Sequence, residues 1–254
     1  LASSRTTASV PIGGKYRIID FDLSNMSNSG ISNVGIVAKS NFQSLMDHVG
    51  SGSAYDLSKR RSNLSILPPY DGKAFSSFVE TIYNMHGYIE HCREEYVLIS
   101  QGNVITNIDY TDVFDFHSKK KADITLIYKN HAIPQGYDRP ITLDVDNDGK
   151  VNQIFVKPGV VDKEVFNHAY GSILIKKDLL MSEIRNAISV NQLDVKRLIQ
   201  SSLGKYSIYA YENKGYCAAI SSINDYFEFN MDLMKKEVRD ELFNPQRPIY
   251  TKVR

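Results

Sequence analysis

Pro11-Ile-Gly-Gly-Lys-Tyr-Arg-Ile-Ile-Asp-Phe-Asp-Leu-Ser-Asn-Met-Ser-Asn-Ser-Gly30 is the stretch on which the reading of this chain turns. It crowds three signals together. Gly13 and Gly14 carry no Cβ, so the backbone there can turn with positive φ or come close to a ligand. Lys15 and Arg17 place cationic donors beside that turn. Arg17 to Leu23 then leads into Ser24 and Asn25, read as a polar break before Gly30. Glycines flanked by basic residues suit an anionic ligand. They suit a structural turn feeding a helix equally well, and the residues alone leave both readings open.

Outward from this stretch, the chain alternates between strand and helix signals. Asn33 to Lys39 is a short β-branched apolar run, read as a buried strand. Phe42, Leu45, Met46 and Val49 recur at helical spacing, and Gly50-Ser-Gly-Ser53 ends that helix. The loop that follows passes through Lys59-Arg60-Arg61 and Leu67-Pro68-Pro69, and it is no P-loop because no Gly-Lys-Ser/Thr follows the glycines. Phe78, Ile82, Met85 and Ile89 share one face of a helix predicted over 78–92, in which Tyr83 and Tyr88 read as packing residues. Tyr96 to Ser100 is the next strand, followed at once by Gln101-Gly102-Asn103; a helix over 111–120 and a strand over 123–128 come after it. Strand, helix, strand, helix, strand predicts a parallel sheet with crossover helices. Ligands of such sheets bind beyond the carboxyl ends of strands, which marks the loop after Ser100.

Later segments are more local. Strands over 141–145 and 151–156 flank Asp146-Asn-Asp-Gly149, a hairpin signal. The acidic spacing imitates a calcium loop, but the twelfth position is Phe155 and no helices flank it. A strand over 170–175, helices over 178–188 and 194–203, and strands over 206–211 and 216–220 follow. Ser222-Ile-Asn-Asp225 is a capping box opening a last helix that runs from Tyr226 to about Glu241.

Composition sets the outer bounds. With 254 residues, 42% of them hydrophobic, the chain can bury the core of one large α/β domain or two small ones. Thirty Lys and Arg against 29 Asp and Glu leave a charge of +1, without the basic excess a nucleic-acid partner needs. Lys119-Lys120-Lys121 reads as a solvated helix end. No apolar run approaches the length of a membrane span, and no signal-peptide pattern opens the chain. Cys92 and Cys217 lie far apart without a CxxC, which points to a reducing, cytoplasmic setting. The six histidines are scattered; His86 and His91 do not share a helix face, and His48 beside Asp47 reads as a surface pair. No serine sits in a nucleophile elbow. Leu1 at the start and the extended Pro248-Ile-Tyr-Thr-Lys-Val-Arg254 at the end give the expectation of a piece of a longer protein.

The opening stretch, with Leu23-Ser-Asn-Met and Asn28-Ser-Gly-Ile, resembles the bacterial glucose-1-phosphate adenylyltransferase (ADP-glucose pyrophosphorylase) family. Asn107-Ile-Asp-Tyr110, Val156-Lys157-Pro158, Asn230-Met-Asp-Leu233 and Pro248-Ile-Tyr-Thr extend the likeness over nearly the whole chain. Ser44-Leu-Met-Asp-His-Val-Gly-Ser-Gly52 is similar to one branch, the regulatory-type subunit that accompanies a catalytic subunit in many Gram-positive bacteria. The resemblance implies a Rossmann-like α/β nucleotidyltransferase domain over 1–247 with a mixed, mainly parallel central sheet. It implies that 248–254 begin the linker to a left-handed β-helix that lies outside this sequence, and that the triphosphate loop would precede Leu1. Active members join ATP and glucose 1-phosphate into ADP-glucose and pyrophosphate with Mg²⁺, for glycogen synthesis. The candidate substrate-binding residues carried over are Gly13, Gly14, Arg17, Gly102, Lys157 and Gly171.

The departures from the family pattern weigh against catalysis. The family's Gly-Asp-His, whose aspartate holds Mg²⁺, stands here as Gly102-Asn103-Val104. Its Trp-Arg-Asp-Val-Gly, whose aspartate is the second ligand, stands as Cys217-Ala218-Ala219-Ile220-Ser221. Its Arg-Ala-Lys-Pro-Ala becomes Arg5-Thr6-Thr7-Ala8-Ser9, its Gly-Thr-Ala becomes Ser77-Phe78-Val79, its Glu-Lys-Pro keeps only Lys157 and Pro158, and a pocket serine becomes Ala169. Asn is a far weaker ligand than a carboxylate for a hard dication, and Ala is none. The expectation is therefore no catalytic residues, with degenerate positions at Asn103 and Ala219, and no bound metal or other certain cofactor. The expected partner is a catalytic subunit in a hetero-oligomer, a tetramer by family likeness, with ATP or a sugar phosphate as further candidate ligands and neither nucleic acid nor membrane. An active enzyme with a rearranged metal site, and a nucleotide or sugar-phosphate sensor, are the alternatives.

Overall fold

The computed structural model describes residues 5–38, 41–58, 63–67, 77–131, 141–156 and 165–252. Along the chain the strands are β1 (Pro11–Ile12), β2 (Tyr16–Arg17), β3 (Asn33–Val37), β4 (Asn63–Leu67), β5 (Tyr96–Ile99), β6 (Val104–Thr106), β7 (Ile124–His131), β8 (Ile141–Val145), β9 (Val151–Val156), β10 (Phe166–Lys176), β11 (Ile208–Glu212) and β12 (Cys217–Ala219). The helices are α1 (Ile18–Asn28), α2 (Gln43–Val49), α3 (Phe78–Asn84), α4 (His86–His91), α5 (Tyr110–Lys120), α6 (Lys177–Ser189), α7 (Val195–Ser201), α8 (Ile223–Asp232) and α9 (Lys236–Leu242). The chain divides into two compact units, one of residues 1–74, 102–111 and 215–254, the other of 75–101 and 112–214.

The first unit is organised around α1. Residues 18–25 are all buried, which only a helix in contact with structure on more than one side allows. One side meets Val10, Ile12, Ile105, Ile220, Phe229, Val238, Leu242 and Ile249 through Ile18 and Phe21. The other meets Val34, Ile36, Leu45, Val49, Tyr55 and Leu57 through Ile19 and Leu23. Ser24 and Asn25 are not the polar break the sequence suggests. They lie inside α1, and their polar atoms are spent on the backbone. Ser24 Oγ accepts from the Tyr250 N–H at 2.8 Å, and Asn25 bridges the Thr106 carbonyl (2.9 Å) and the Ile108 N–H (3.3 Å). Satisfying edge groups in this way is what permits Asn in a buried helix. β3 and β4 pair in parallel, and β6 pairs with β12 antiparallel.

The second unit holds the mixed sheet, with β11, β7, β10, β8 and β9 in order and β5 beside β10. β5, β7 and β11 point the same way, as the strand-helix alternation predicts. β10, however, lies between β5 and β7 and runs antiparallel to both. Only β7–β11 pair in parallel here, so among the described pairings the parallel share is smaller than the sequence reading implies. The β8–β9 hairpin forms as expected: Asp146 Oδ1 accepts from the Asp148 and Lys150 N–H groups, both at 2.9 Å, and Gly149 has φ +86°. α3 and α4 pack against α6.

Two helices predicted as continuous are broken. Residues 78–92 form α3 and α4, separated at Met85. Residues 223–242 form α8 and α9, separated at 233–235. The Ser222–Asp225 capping box is present, with Ser222 Oγ accepting from the Asp225 N–H at 3.1 Å and Asp225 Oδ2 from the Ser222 N–H at 2.8 Å. Among the described residues no helix is long and apolar enough to cross a membrane.

Candidate functional site

The glycine-basic stretch folds as a hairpin. β1 and β2 pair antiparallel, Ile12 opposite Tyr16, and Gly13, Gly14 and Lys15 make the turn. Gly13 and Gly14 have φ of +53° and +83°, a region that costs residues with a Cβ. The turn is braced from below: the Tyr226 hydroxyl donates to the Pro11 carbonyl at 2.9 Å. Lys15 is exposed, its Nζ 4.9 Å from the centre of the Tyr16 ring. Arg17 turns away from the glycines. Its guanidinium donates to the Ser44 carbonyl at 2.6 Å and to Ser44 Oγ at 2.8 Å, tying α1 to α2.

Asp20 is the polar centre beneath this turn. It is fully buried and accepts three hydrogen bonds: from the Arg17 N–H at 2.9 Å, the Tyr55 hydroxyl at 2.6 Å and His48 Nε2 at 2.6 Å. Burial first, and then the Asp20 charge, pushes the Tyr55 hydroxyl far above the ordinary tyrosine value, so it stays protonated and donates. His48 is therefore buried and bonded to Asp20, not the surface partner of Asp47 that adjacency suggests. Sequence spacing offers no signal for a contact across 28 residues.

The two positions that resemblance assigns to metal ligands come together in the first unit. Ala219 lies opposite Val104 in the β6–β12 pair. One step further, the Ile220 N–H donates to the Asn103 carbonyl at 2.8 Å, and Asn103 Nδ2 donates to the Ile220 carbonyl at 3.3 Å. Asn103 Oδ1 is buried without a hydrogen-bond partner among the described residues. Gly102, with φ +64°, brings the backbone against Ala8 and Ile19; a Cβ there would stand 4.0 Å from Asp22 Oδ2. Asp22 is buried, so a carboxylate does stand beside this turn, although on α1 rather than at 103.

The remaining candidates divide. Gly171 belongs to the second unit, at the point where the β10 register shifts between Ala169 and Ile173. Its φ is +82°, and a Cβ would fall 2.1 Å from Gln101 Nε2, so the Gln101 side chain passes only because residue 171 is glycine. Lys157 lies outside the described residues. Ala169 is buried in β10, opposite Tyr128 of β7 and Ile141 of β8. Ser77 serves as the N-cap of α3, its Oγ accepting from the Glu80 N–H at 3.1 Å. Tyr83 is exposed rather than packed.

The nucleotidyl transferase model matches residues 1–236 of the chain. A glucose-1-phosphate adenylyltransferase of Clostridium acetobutylicum is 35% identical over 260 residues, covering 98% of this chain and 67% of that protein. One from Bacillus subtilis is 32% identical, covering 99% and 67%. The chain belongs to the glucose-1-phosphate adenylyltransferase family of nucleotidyl transferases. At the level of fold alone, a Bacillus anthracis protein described as a glucose-1-phosphate thymidylyltransferase, solved in complex with sucrose, superposes with a TM-score of 0.73 at 13% identity, over 96% of this chain and 90% of that one.

A nucleotidyl transferase that uses Mg²⁺ needs hard anionic oxygens at the metal. Positions 103 and 219 do not fit that ion: they present one neutral amide oxygen and one methyl group. Among the described residues no group of three or more His, Cys, Asp or Glu side chains is arranged to hold a metal. The described residues hold the hairpin turn, the positive φ at Gly102 and the strand pairing that sets 103 beside 220.

Proposed function

We propose that this chain is a non-catalytic regulatory subunit of a glucose-1-phosphate adenylyltransferase. It acts in the cytoplasm, assembling with a catalytic subunit and modulating formation of ADP-glucose from ATP and glucose 1-phosphate. The observation that supports this reading is the Asn103–Ala219 pair. Ala219 lies opposite Val104, the residue after Asn103, and neither Asn103 nor Ala219 carries a carboxylate. In-line attack of a sugar phosphate on an α-phosphorus is driven by positioning and by charge stabilisation. Each missing stabilising group costs about 10²–10³ in rate. The turn at 13–15 and the Asp20 cluster hold α1, α2 and the hairpin in place without any contribution from positions 103 and 219.

The decisive experiment purifies this protein alone and together with the catalytic subunit, then assays ADP-glucose formation from each. The expected result is co-purification, negligible turnover alone, and altered turnover of the mixture. Robust Mg²⁺-dependent turnover by this protein alone would overturn the reading. One observation favours an active enzyme with a rearranged metal site as the second reading: the Asp22 carboxylate at the Gly102 turn. Under that reading Asp22→Asn abolishes the lone activity. Under the first there is none to abolish.

A further inference from the structure

In the second unit β5, β7 and β11 point the same way, and Gln101 lies just past the carboxyl end of β5. Ligands of such sheets gather beyond those ends. β10 pairs with β5 as Ile173 opposite Ile99, and two more steps along that register set Gly171 across from Gln101. β10 also breaks its ladder with β7 here, because the register shifts between Ala169 and Ile173. Gly171 has φ +82° and no Cβ, so its backbone can be approached closely. Gln101 makes that approach. Where a Cβ on residue 171 would stand, Gln101 Cδ is 2.5 Å away and Cγ 2.9 Å away. Both distances are well inside ordinary apolar contact, so the Gln101 side chain fills the space over the glycine. Gly171 is half-buried and Gln101 is exposed, so solvent reaches the pair from one side.

We propose that Gln101 is an occluding residue: its side chain takes the place over Gly171 that a sugar phosphate would enter, and so holds down the affinity of this chain for that class of ligand. The ligand class rests on the regulatory reading above, and the occlusion rests on the Gln101–Gly171 contact. A glycine with positive φ at a break in a ladder, beyond the carboxyl end of a strand, is a place where backbone admits a ligand closely. In this chain the close approach is made by its own amide side chain. Glucose 1-phosphate cannot share that volume, so it enters only after Gln101 turns out to solvent. The exposure of Gln101 lets it turn, at the cost of the contact given up and of the rotamers then denied to it. Restricting one long side chain in this way shifts an affinity by about two- to tenfold. The contact therefore tunes occupancy rather than abolishing it. It differs in kind from positions 103 and 219: those lack a carboxylate, whereas Gln101 takes away room.

Calorimetric titration of the intact chain with glucose 1-phosphate, without Mg²⁺, tests the occlusion. Gln101→Ala and Gln101→Ser should each bind about three- to tenfold more tightly than the wild type, while Gln153→Ala, exposed on β9, leaves the affinity unchanged. A double-mutant cycle in denaturant checks the contact without any ligand. Gly171→Ala is strained by its φ in either background, but only in the wild type does its Cβ meet the Gln101 side chain. It should therefore lower the unfolding midpoint more in the wild type than in Gln101→Ala. Equal or weaker affinity in Gln101→Ala, absence of binding in both proteins, or identical Gly171→Ala losses in the two backgrounds would each overturn the occlusion. Failure of the regulatory reading shows instead as ADP-glucose formation by this chain alone, which neither measurement reads.

Discussion

Two polar positions in the first unit, the buried Asp20 and the half-buried Asn103, behave in opposite ways. Asp20 is a charge with every need met: a backbone N–H, a phenol and an imidazole converge on its two oxygens. Asn103 is neutral and only half satisfied, with Nδ2 engaged at 3.3 Å and Oδ1 buried without a partner among the described residues. A buried charge persists only where its partners offset desolvation, so Asp20 is a structural group. A buried acceptor without a partner is rare in native structures. The difference separates a group that holds the fold from one whose acceptor the surrounding structure leaves unused.

The largest effect falls on the satisfied side. Asp20→Ala strands the buried His48 and Tyr55 donors and uncaps α1, and should cost about 3–5 kcal/mol in denaturant unfolding. A loss below about 1 kcal/mol would show the cluster to be incidental. Tyr55→Phe removes one donor and should cost about 1–2 kcal/mol at neutral pH. It also has a pH signature. The Tyr55 pKa is raised in the folded state, so its contribution is fully present below the unfolded value of about 10 and is lost as pH rises beyond it. Between about pH 10 and 12 the wild type should therefore lose stability faster than Tyr55→Phe. Tyr216, raised by burial and by its bond to Asp232, adds the same slope to both proteins. Identical alkaline slopes would remove the assignment.

Much of this was legible in the sequence, and the failures have physical causes. Turn chemistry and caps act within a few residues, so the Gly13–Gly14 turn, the Asp146–Gly149 hairpin and the Ser222–Asp225 box are readable. What sequence spacing hides is long-range pairing. Nothing local reveals β10 between β5 and β7, or His48 beneath Asp20. Ser24 and Asn25 mislead for the same reason: their polarity reads as a break until distant backbone groups at 106, 108 and 250 bond their side chains.

The unsatisfied side should yield smaller effects. Asn103→Asp with Ala219→Asp places two carboxylates where β6 and β12 meet. Mn²⁺ affinity, followed by electron paramagnetic resonance, should rise about tenfold or more while lone turnover stays poor, because Thr7, Val79 and Ala169 remain changed. A competent enzyme from this double variant would break the argument that losses are spread over several segments.

Asn103→Ala should give the smallest change, and it sharpens the comparison most. The variant gives up the 3.3 Å bond to the Ile220 carbonyl and also removes the orphaned Oδ1. Deleting a made hydrogen bond costs about 0.5–1.5 kcal/mol net, while deleting an unmade acceptor returns part of its desolvation penalty. The Ile220 N–H keeps its bond to the carbonyl of residue 103, which alanine also has. Chemical denaturation should therefore register less than about 1 kcal/mol, several-fold below Asp20→Ala, with the hairpin and strand pairing intact. A loss matching that of Asp20→Ala would mean that the residue-103 amide is scaffold after all, and the distinction between the two positions would fall.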